Sequence, residues 1–474
     1  MNRRDFLGYG GFALGGTLIS NLPTAERTPL EHRSVMSKRI AANVVEAKLE
    51  ASEARLQLGQ TQARLLTYNS SFPGPVLRVR EGDTVRLNFT NRLREPTNLH
   101  LHGLRISPAV DAPLLQIAPG KSHLYEFTIP KGSSGTYFYH PHVHGRVAAQ
   151  MGAGLVGAMI IEGPLDAMPE LRDAEEHVIV LKDLALVNGV PRSPTMMDWM
   201  NGIEGVVYVN GSRMPTIRAG KATLRLRFVN ASNARYYQLR LEDHAMHLIA
   251  SDGGLIEKPV VLETLLLAPG ERAEVLVQLE REGSFRLGHI GYDRGRHAME
   301  NGMMGNGMMG SDRASPIDQF ATLLTLIAPA NPKPLALPSG LMPVERFEVG
   351  TAALTRRIVM KESMMPMGFF LNGKSFDHRR VDFSGKRDTL EVWELENQGD
   401  MDHPFHLHSY PFQVLERNGV PEPFRAWKDT VNLRKNDRVK IAVPLRDFPG
   451  LTVYHCHIVE HEDRGMMGTL EVRA

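Results

Sequence analysis

The sequence predicts an all-β protein built from three β-sandwich domains, and three observations carry that prediction. Short stretches alternate apolar and polar residues with the period of two expected of a half-buried strand. One such line recurs three times along the 474 residues. The chain is punctuated by 43 Gly and 30 Pro and has no long amphipathic helical stretch, as expected of sandwiches rather than of helical or α/β folds. The first copy of the line is Gly82-Asp83-Thr84-Val85-Arg86-Leu87-Asn88-Phe89. The second is Ala222-Thr223-Leu224-Arg225-Leu226-Arg227-Phe228, and the third Asp388-Thr389-Leu390-Glu391-Val392-Trp393. Ala118-Pro119-Gly120 returns as Ala268-Pro269-Gly270, each time ahead of another alternating run. Three copies imply three domains, and the length suits three of ordinary size. We place them at 41–167, 168–332 and 333–474, with Pro329 to Pro338 as the second linker.

The lone cysteine, Cys456, lies in Tyr454-His455-Cys456-His457-Ile458-Val459-Glu460-His461-Glu462-Asp463-Arg464-Gly465-Met466. A soft thiolate followed by an imidazole, His461, and a thioether, Met466, supplies the ligand types of a blue-copper site, with the thioether as weak axial ligand. On a strand, His455 and His457 share one face while Cys456 points to the other. One strand can thus present a metal on each side, with the thiolate a few covalent bonds from either histidine. Three further His-x-His pairs repeat the spacing: His100 and His102, His140 and His142, His406 and His408. His403 is out of phase with the third pair, as a ligand of the Cys456 metal should be.

Taken together, HLHG, HPHVHG, HPFHLH and HCHIVEHEDRGM make the chain resemble a multicopper oxidase, whose four copper-binding segments they match in order and spacing. The resemblance implies Greek-key cupredoxin domains and four copper ions. A type-1 copper would sit on His403, Cys456, His461 and Met466, and a type-2 copper on His100 and His406. A type-3 pair would share His102, His140, His142, His408, His455 and His457. It implies four one-electron oxidations at the type-1 site, coupled to reduction of dioxygen to two waters at the trinuclear cluster. Asp111 and Glu462 resemble the acids that relay protons there, and His144 reads as a rim residue. Gly135 to His140 resembles Gly450 to His455, whereas the corresponding Gly283 to His289 carries one histidine. The cluster is therefore expected between the first and third domains, with the middle one as spacer.

Methionine points to the reductant. The chain has 23 Met, several of them in the run from His297 to Gly310, with Met299, Met303, Met304, Met308 and Met309. Thioether sulfur prefers Cu(I). Met364, Met365 and Met367 form a second group, and Met401 precedes His403 by two residues. Asp400 and Met401 resemble the Asp and Met that hold Cu(I) in bacterial copper-efflux oxidases. The spacing is one residue shorter here, so either Asp400 or Asp402 can be the carboxylate, and the Met-rich run falls late in the second domain rather than in the third. The expectation is a cuprous oxidase in copper tolerance. The alternatives are a laccase-like oxidase of small phenols, and a non-catalytic exported protein that binds copper or serves the cell envelope.

Asn2-Arg3-Arg4-Asp5-Phe6-Leu7 is a twin-arginine pattern, and the run from Gly8 to Ser20 is too short and weakly apolar for a membrane span. Residues 1–40 are read as signal peptide and leader, addressed to the twin-arginine export machinery and the periplasm. A single cysteine fits an export route independent of disulfides. A net charge of +2 gives no reason to expect nucleic acid or a membrane surface as partner, and the expected state is a monomer without a stable membrane anchor.

Overall fold

The computed structural model describes residues 37–295 and 320–474; the twin-arginine segment and Met299 to Met309 lie outside them. The described residues form an all-β molecule in which one pairing pattern occurs three times. Val44–Leu58 runs parallel to Thr84–Asn91, which pairs antiparallel with Ser122–Thr128. Glu175–Leu184, Thr223–Asn230 and Arg272–Gln278 repeat that arrangement. So do Leu354–Met364, Thr389–Asn397 and Arg438–Leu445. The three central strands of these sheets are the three copies of the alternating line.

A second sheet covers each of these. Gly74–Arg80, Gly157–Glu162, Gly135–His140 and His100–His102 lie in that order in the first unit. In the third unit the order is Phe383–Lys386, Met467–Arg473, Gly450–Cys456, His403–Leu407 and Thr430–Leu433. The first core shows how alternation becomes packing. Val85, Leu87 and Phe89 face Leu77, Tyr139 and Ile161 across the sandwich, and burying each such side chain stabilises the fold by about 1.5–3 kcal/mol.

Alternation fails in the middle copy. Thr84–Asn91 is buried at every second residue, but Thr223–Asn230 is buried throughout. Its polar face carries Arg225 and Arg227, which are buried and paired with acids of their own domain and with Asp166 of the first. Arg225 donates to Glu274 Oε2 at 2.7 Å and to Asp166 at 2.6 Å. Arg227 donates to Glu274 Oε1 at 2.5 Å and to Glu176 at 2.6 Å, while Thr136 Oγ1 of the first domain donates to the same Glu274 oxygen. Removing one partner of a buried ion cluster leaves uncompensated charge. Glu274→Ala should therefore cost about 3–5 kcal/mol, read by calorimetry as a lowered transition; an unchanged melt would show that Glu274 does not join the first two domains.

Candidate metal centres

Strand pairing assembles the histidines. His100–His102 lies antiparallel to Gly135–His140 with His100 opposite His140. His403–Leu407 lies antiparallel to Gly450–Cys456 with His406 opposite His455 and Phe405 opposite Cys456. All eight paired histidines are buried, as are His403, Cys456, His461 and Met466.

On one side of the Cys456 strand, Sγ lies 3.5 Å from His403 Nδ1 and 3.7 Å from His461 Nδ1, and the two nitrogens are 3.3 Å apart. Outer partners fix which nitrogens face inward. His403 Nε2 donates to Glu362 Oε2 at 2.7 Å, and His461 Nε2 donates to the Met200 carbonyl at 2.8 Å. Both Nδ1 atoms are therefore lone pairs. Phe369 stacks on His461 at 4.4 Å. Met466 is tied in by its backbone, its N–H donating to His461 and its carbonyl accepting from Cys456.

On the other side the rings of the four pairs converge. Asp111 bridges two of them, accepting from His100 Nδ1 at 2.6 Å and from His408 Nδ1 at 2.7 Å. His140 Nδ1 donates to the Pro141 carbonyl, His455 Nδ1 to that of Cys456 and His406 Nδ1 to that of Asp429. Each of these five rings then presents Nε2. His408 and His455 bring Nε2 atoms within 3.0 Å, and His142 and His455 within 3.3 Å. His102 is turned the other way: Nε2 donates to Asp429 Oδ1 at 3.0 Å and Nδ1 faces His140 Nε2 at 3.4 Å. His457 lies 4.8 Å from His102 and 5.5 Å from His140, ring to ring.

This geometry fits metal ions. Lone pairs facing one another at 3.0–3.3 Å repel unless a cation lies between them, and imidazole nitrogens meet a metal at about 2 Å. The Nε2 atoms of His100 and His406 and both ring nitrogens of His457 are buried without a hydrogen-bond partner, a cost that ligation removes. Burial, with the neighbouring imidazoles adding to it, holds His100, His102, His140, His408, His455 and His457 well below the usual histidine range. Burial also takes His142 down to about 4. The rings are neutral and ready to ligate. Burial pushes the Cys456 thiol up, so a bound cation must supply the charge that makes it a thiolate.

Glu462 is fully buried on the short helix Val459–Asp463. Its oxygens lie 3.3 Å from His142 Nε2 and from His455 Nδ1 and make no hydrogen bond. Burial first, then Asp463 and Glu460, pushes its carboxyl well above the usual range. Asp400 is exposed and paired with Lys435 at 2.8 Å. Asp402 is buried and accepts from Tyr292 and Asn432. Met401 is buried, and the exposed His144 lies against Phe376. Met303, Met304, Met308 and Met309 lie outside the described residues.

The carboxylate that touches His403 is Glu362, which sequence reasoning did not single out. A signal was available: Arg356, Ile358, Met360 and Glu362 share the inward phase of Leu354–Met364, and an acid in an inward phase needs a partner. Asp429, Thr430 and Arg272 were missed too, and no spacing in their neighbourhoods marks them.

Sequence profiles of the multicopper oxidase family match residues 50–166, 171–303 and 351–474. The chain is 30% identical to the multicopper oxidase mco of Staphylococcus haemolyticus, over 94% of this chain and 95% of that protein. It is 29% identical to the cell division protein FtsP of Proteus mirabilis, over 87% of this chain and 86% of the other. The solved structure of a multicopper oxidase from Campylobacter jejuni, described as a metallo-oxidase, superposes with a TM-score of 0.84 at 33% identity, covering 94% and 95% of the two chains. Copper is the metal this family implies, and with its buried thiol and converging imidazoles the chain belongs to the multicopper oxidases, enzymes that pass electrons from a reductant to dioxygen.

Proposed function

We propose that the chain is an exported cuprous oxidase that protects the cell from copper. The observation that carries this reading is where the Met-rich run begins. Gly295, the last described residue before it, packs on Asp400 and Met401, so closely that an added Cβ would lie 3.1 Å from Met401 Cα. Asp402 N–H donates to the Arg294 carbonyl at 2.8 Å. The chain thus enters the run from the wall beside His403. Met364 and Met365 are exposed at the tip of the hairpin whose strand carries Glu362, the carboxylate that touches His403. Soft sulfur exposed on the hairpin that carries Glu362 suits Cu(I) as the electron donor. The metallo-oxidase description of the Campylobacter relative supports the same reading.

In this reading the chain holds four copper ions with the ligands named above, which supply one-electron transfer and dioxygen chemistry when bound. Its own residues do the rest. Glu362 and the Met200 carbonyl orient the type-1 imidazoles, Asp111 locks His100 and His408 together, and the neutral Glu462 holds a proton beside His142 and His455 for reduced oxygen.

Oxygen uptake by the copper-loaded mature protein tests the substrate. Stabilised Cu(I) should drive uptake at least about tenfold faster than a simple phenol without added copper, and deletion of Met299 to Met309 should erase most of that advantage, as loss of soft ligands predicts. Preference for the phenol, with the deletion speeding bulky phenols, would instead identify a laccase. Replacing Arg3 and Arg4 by Lys should retain the protein in the cytoplasm, as fractionation would show; unchanged export would remove the twin-arginine assignment. The similarity to the cell division protein FtsP supports a second reading, in which the exported chain serves cell division and not copper oxidation. That reading gains if Cys456→Ser leaves the cellular phenotype intact.

A further inference from the structure

We propose that Arg272, a residue of the middle domain, is a positioning residue of the trinuclear centre that sets the inward-facing nitrogen of His102 by acting through Asp429. Among the described residues the middle domain contributes no histidine to the cluster, yet its Ala268-Pro269-Gly270 turn reaches it. An added Cβ at Gly270 would fall 2.8 Å from the His457 ring. Two residues on, Arg272 is wholly buried, and all five of its donors are used. Nε donates to the Thr136 carbonyl of the first domain at 3.1 Å. Nη1 donates to the Gly270 carbonyl and to Asp429 Oδ1 at 2.7 Å, and Nη2 to the Asp252 carbonyl and to Asp429 Oδ2 at 2.6 Å. One guanidinium therefore ties the second domain to the first and, through a two-pronged bond, to the third.

Asp429 passes this constraint to the cluster. Oδ1 also accepts from Thr430 Oγ1 at 2.9 Å and from His102 Nε2 at 3.0 Å. An ionised carboxylate can only accept, so His102 must carry its proton on Nε2 and offer Nδ1. The five cluster histidines whose Nδ1 is held by an acceptor offer Nε2. Without the Arg272 fork, Asp429 could rotate and His102 could take the other tautomer, withdrawing the nitrogen that faces His140. Gly103, which closes the HLHG motif, fits the same account. It has a φ of +81°, and an added Cβ there would clash with Asp429 Oδ2 and Arg272 Nη2. Glycine is required there both for its conformation and to leave room for the ion pair.

The proposal rests on the four-copper reading, and the test separates the two. Arg272→Met, Arg272→Lys and Asp429→Asn would be prepared as full-length copper-loaded proteins. Copper per chain, the blue type-1 absorption, the type-2 electron paramagnetic resonance signal and the near-ultraviolet type-3 absorption would be recorded beside dioxygen uptake. Arg272→Met and Asp429→Asn should keep the blue absorption, lose the type-3 absorption and bind less than the wild-type complement of copper. Uptake should fall about 10–100-fold, the usual cost of an outer-shell partner. Arg272→Lys, which keeps the charge but not the fork, should fall between. A merely adhesive Arg272 would lower the melting temperature and leave these signals alone. Full copper content and unchanged type-3 absorption in folded Arg272→Met would overturn the proposal; if that variant does not fold, the same result in the isosteric Asp429→Asn would do so. Absence of type-3 absorption from the wild-type protein overturns the four-copper reading, and this proposal with it.

Discussion

Cys456→Ser should remove the blue absorption and cut dioxygen reduction, with any reductant, by more than the roughly 100-fold that loss of an outer-shell partner costs. Cys456 is the chain's lone sulfhydryl and stands between the two sites. Its Sγ faces His403 and His461, while its backbone neighbours His455 and His457 face the cluster. A hydroxyl is a hard, weak donor that supplies neither the soft bond nor the covalent route. The fold should tolerate the change, because serine is nearly isosteric and the Ile458 N–H that lies 3.4 Å from Sγ can donate to its oxygen. Visible spectroscopy and oxygen uptake on the same sample check the prediction. Activity above a few per cent in a colourless protein would mean that electrons reach the cluster without passing Cys456.

Legibility followed the kind of physics that placed each residue. The three central strands were readable because one face of each meets its own core and the other meets water or polar groups, so the period of two survives in the letters. The middle copy kept that period even though the structure buries both faces. Arg225 and Arg227 look like solvent residues until Glu274 and Glu176 of the neighbouring strands and Asp166 across the domain boundary are in place. The converging histidines were readable because a strand fixes the i, i+2 spacing within the chain. Glu362 reaches the Cys456 site, and Asp429 and Arg272 reach the histidine cluster, from segments tens to hundreds of residues away from the ligands they touch. Their role lies in tertiary hydrogen bonds that carry no local spacing. The spacer role expected of the middle domain describes its histidines but not its contacts, since Met200, Gly270 and Arg272 all come from it.

Glu462→Gln should lower dioxygen reduction by about 10²–10⁴-fold, the usual contribution of a positioned proton donor, while leaving the type-1 absorption and copper content in place. The amide keeps the shape of the carboxyl and cannot give up a proton. A second effect, of opposite sign, separates this role from simple packing. Burial holds the Glu462 carboxyl neutral in the folded chain well above its ordinary 4.5, so the unfolded chain ionises first as pH rises. A group with a raised folded pKa contributes stability that is fully present below the unfolded value and is lost as pH climbs toward the folded one. The buried histidines titrate alike in both metal-free proteins, so the effect of Glu462 is read as a difference: relative to metal-free Glu462→Gln, metal-free wild-type protein should lose stability between pH 5 and 8. The difference should vanish well below pH 4.5, where the Glu462 carboxyl is protonated in the folded and the unfolded chain alike. Urea unfolding of the two proteins across that range reads the difference directly. A variant that is slow in turnover yet no more stable than wild type at pH 8 would place the ionised carboxylate in the folded metal-free protein, and proton delivery would then have to start elsewhere.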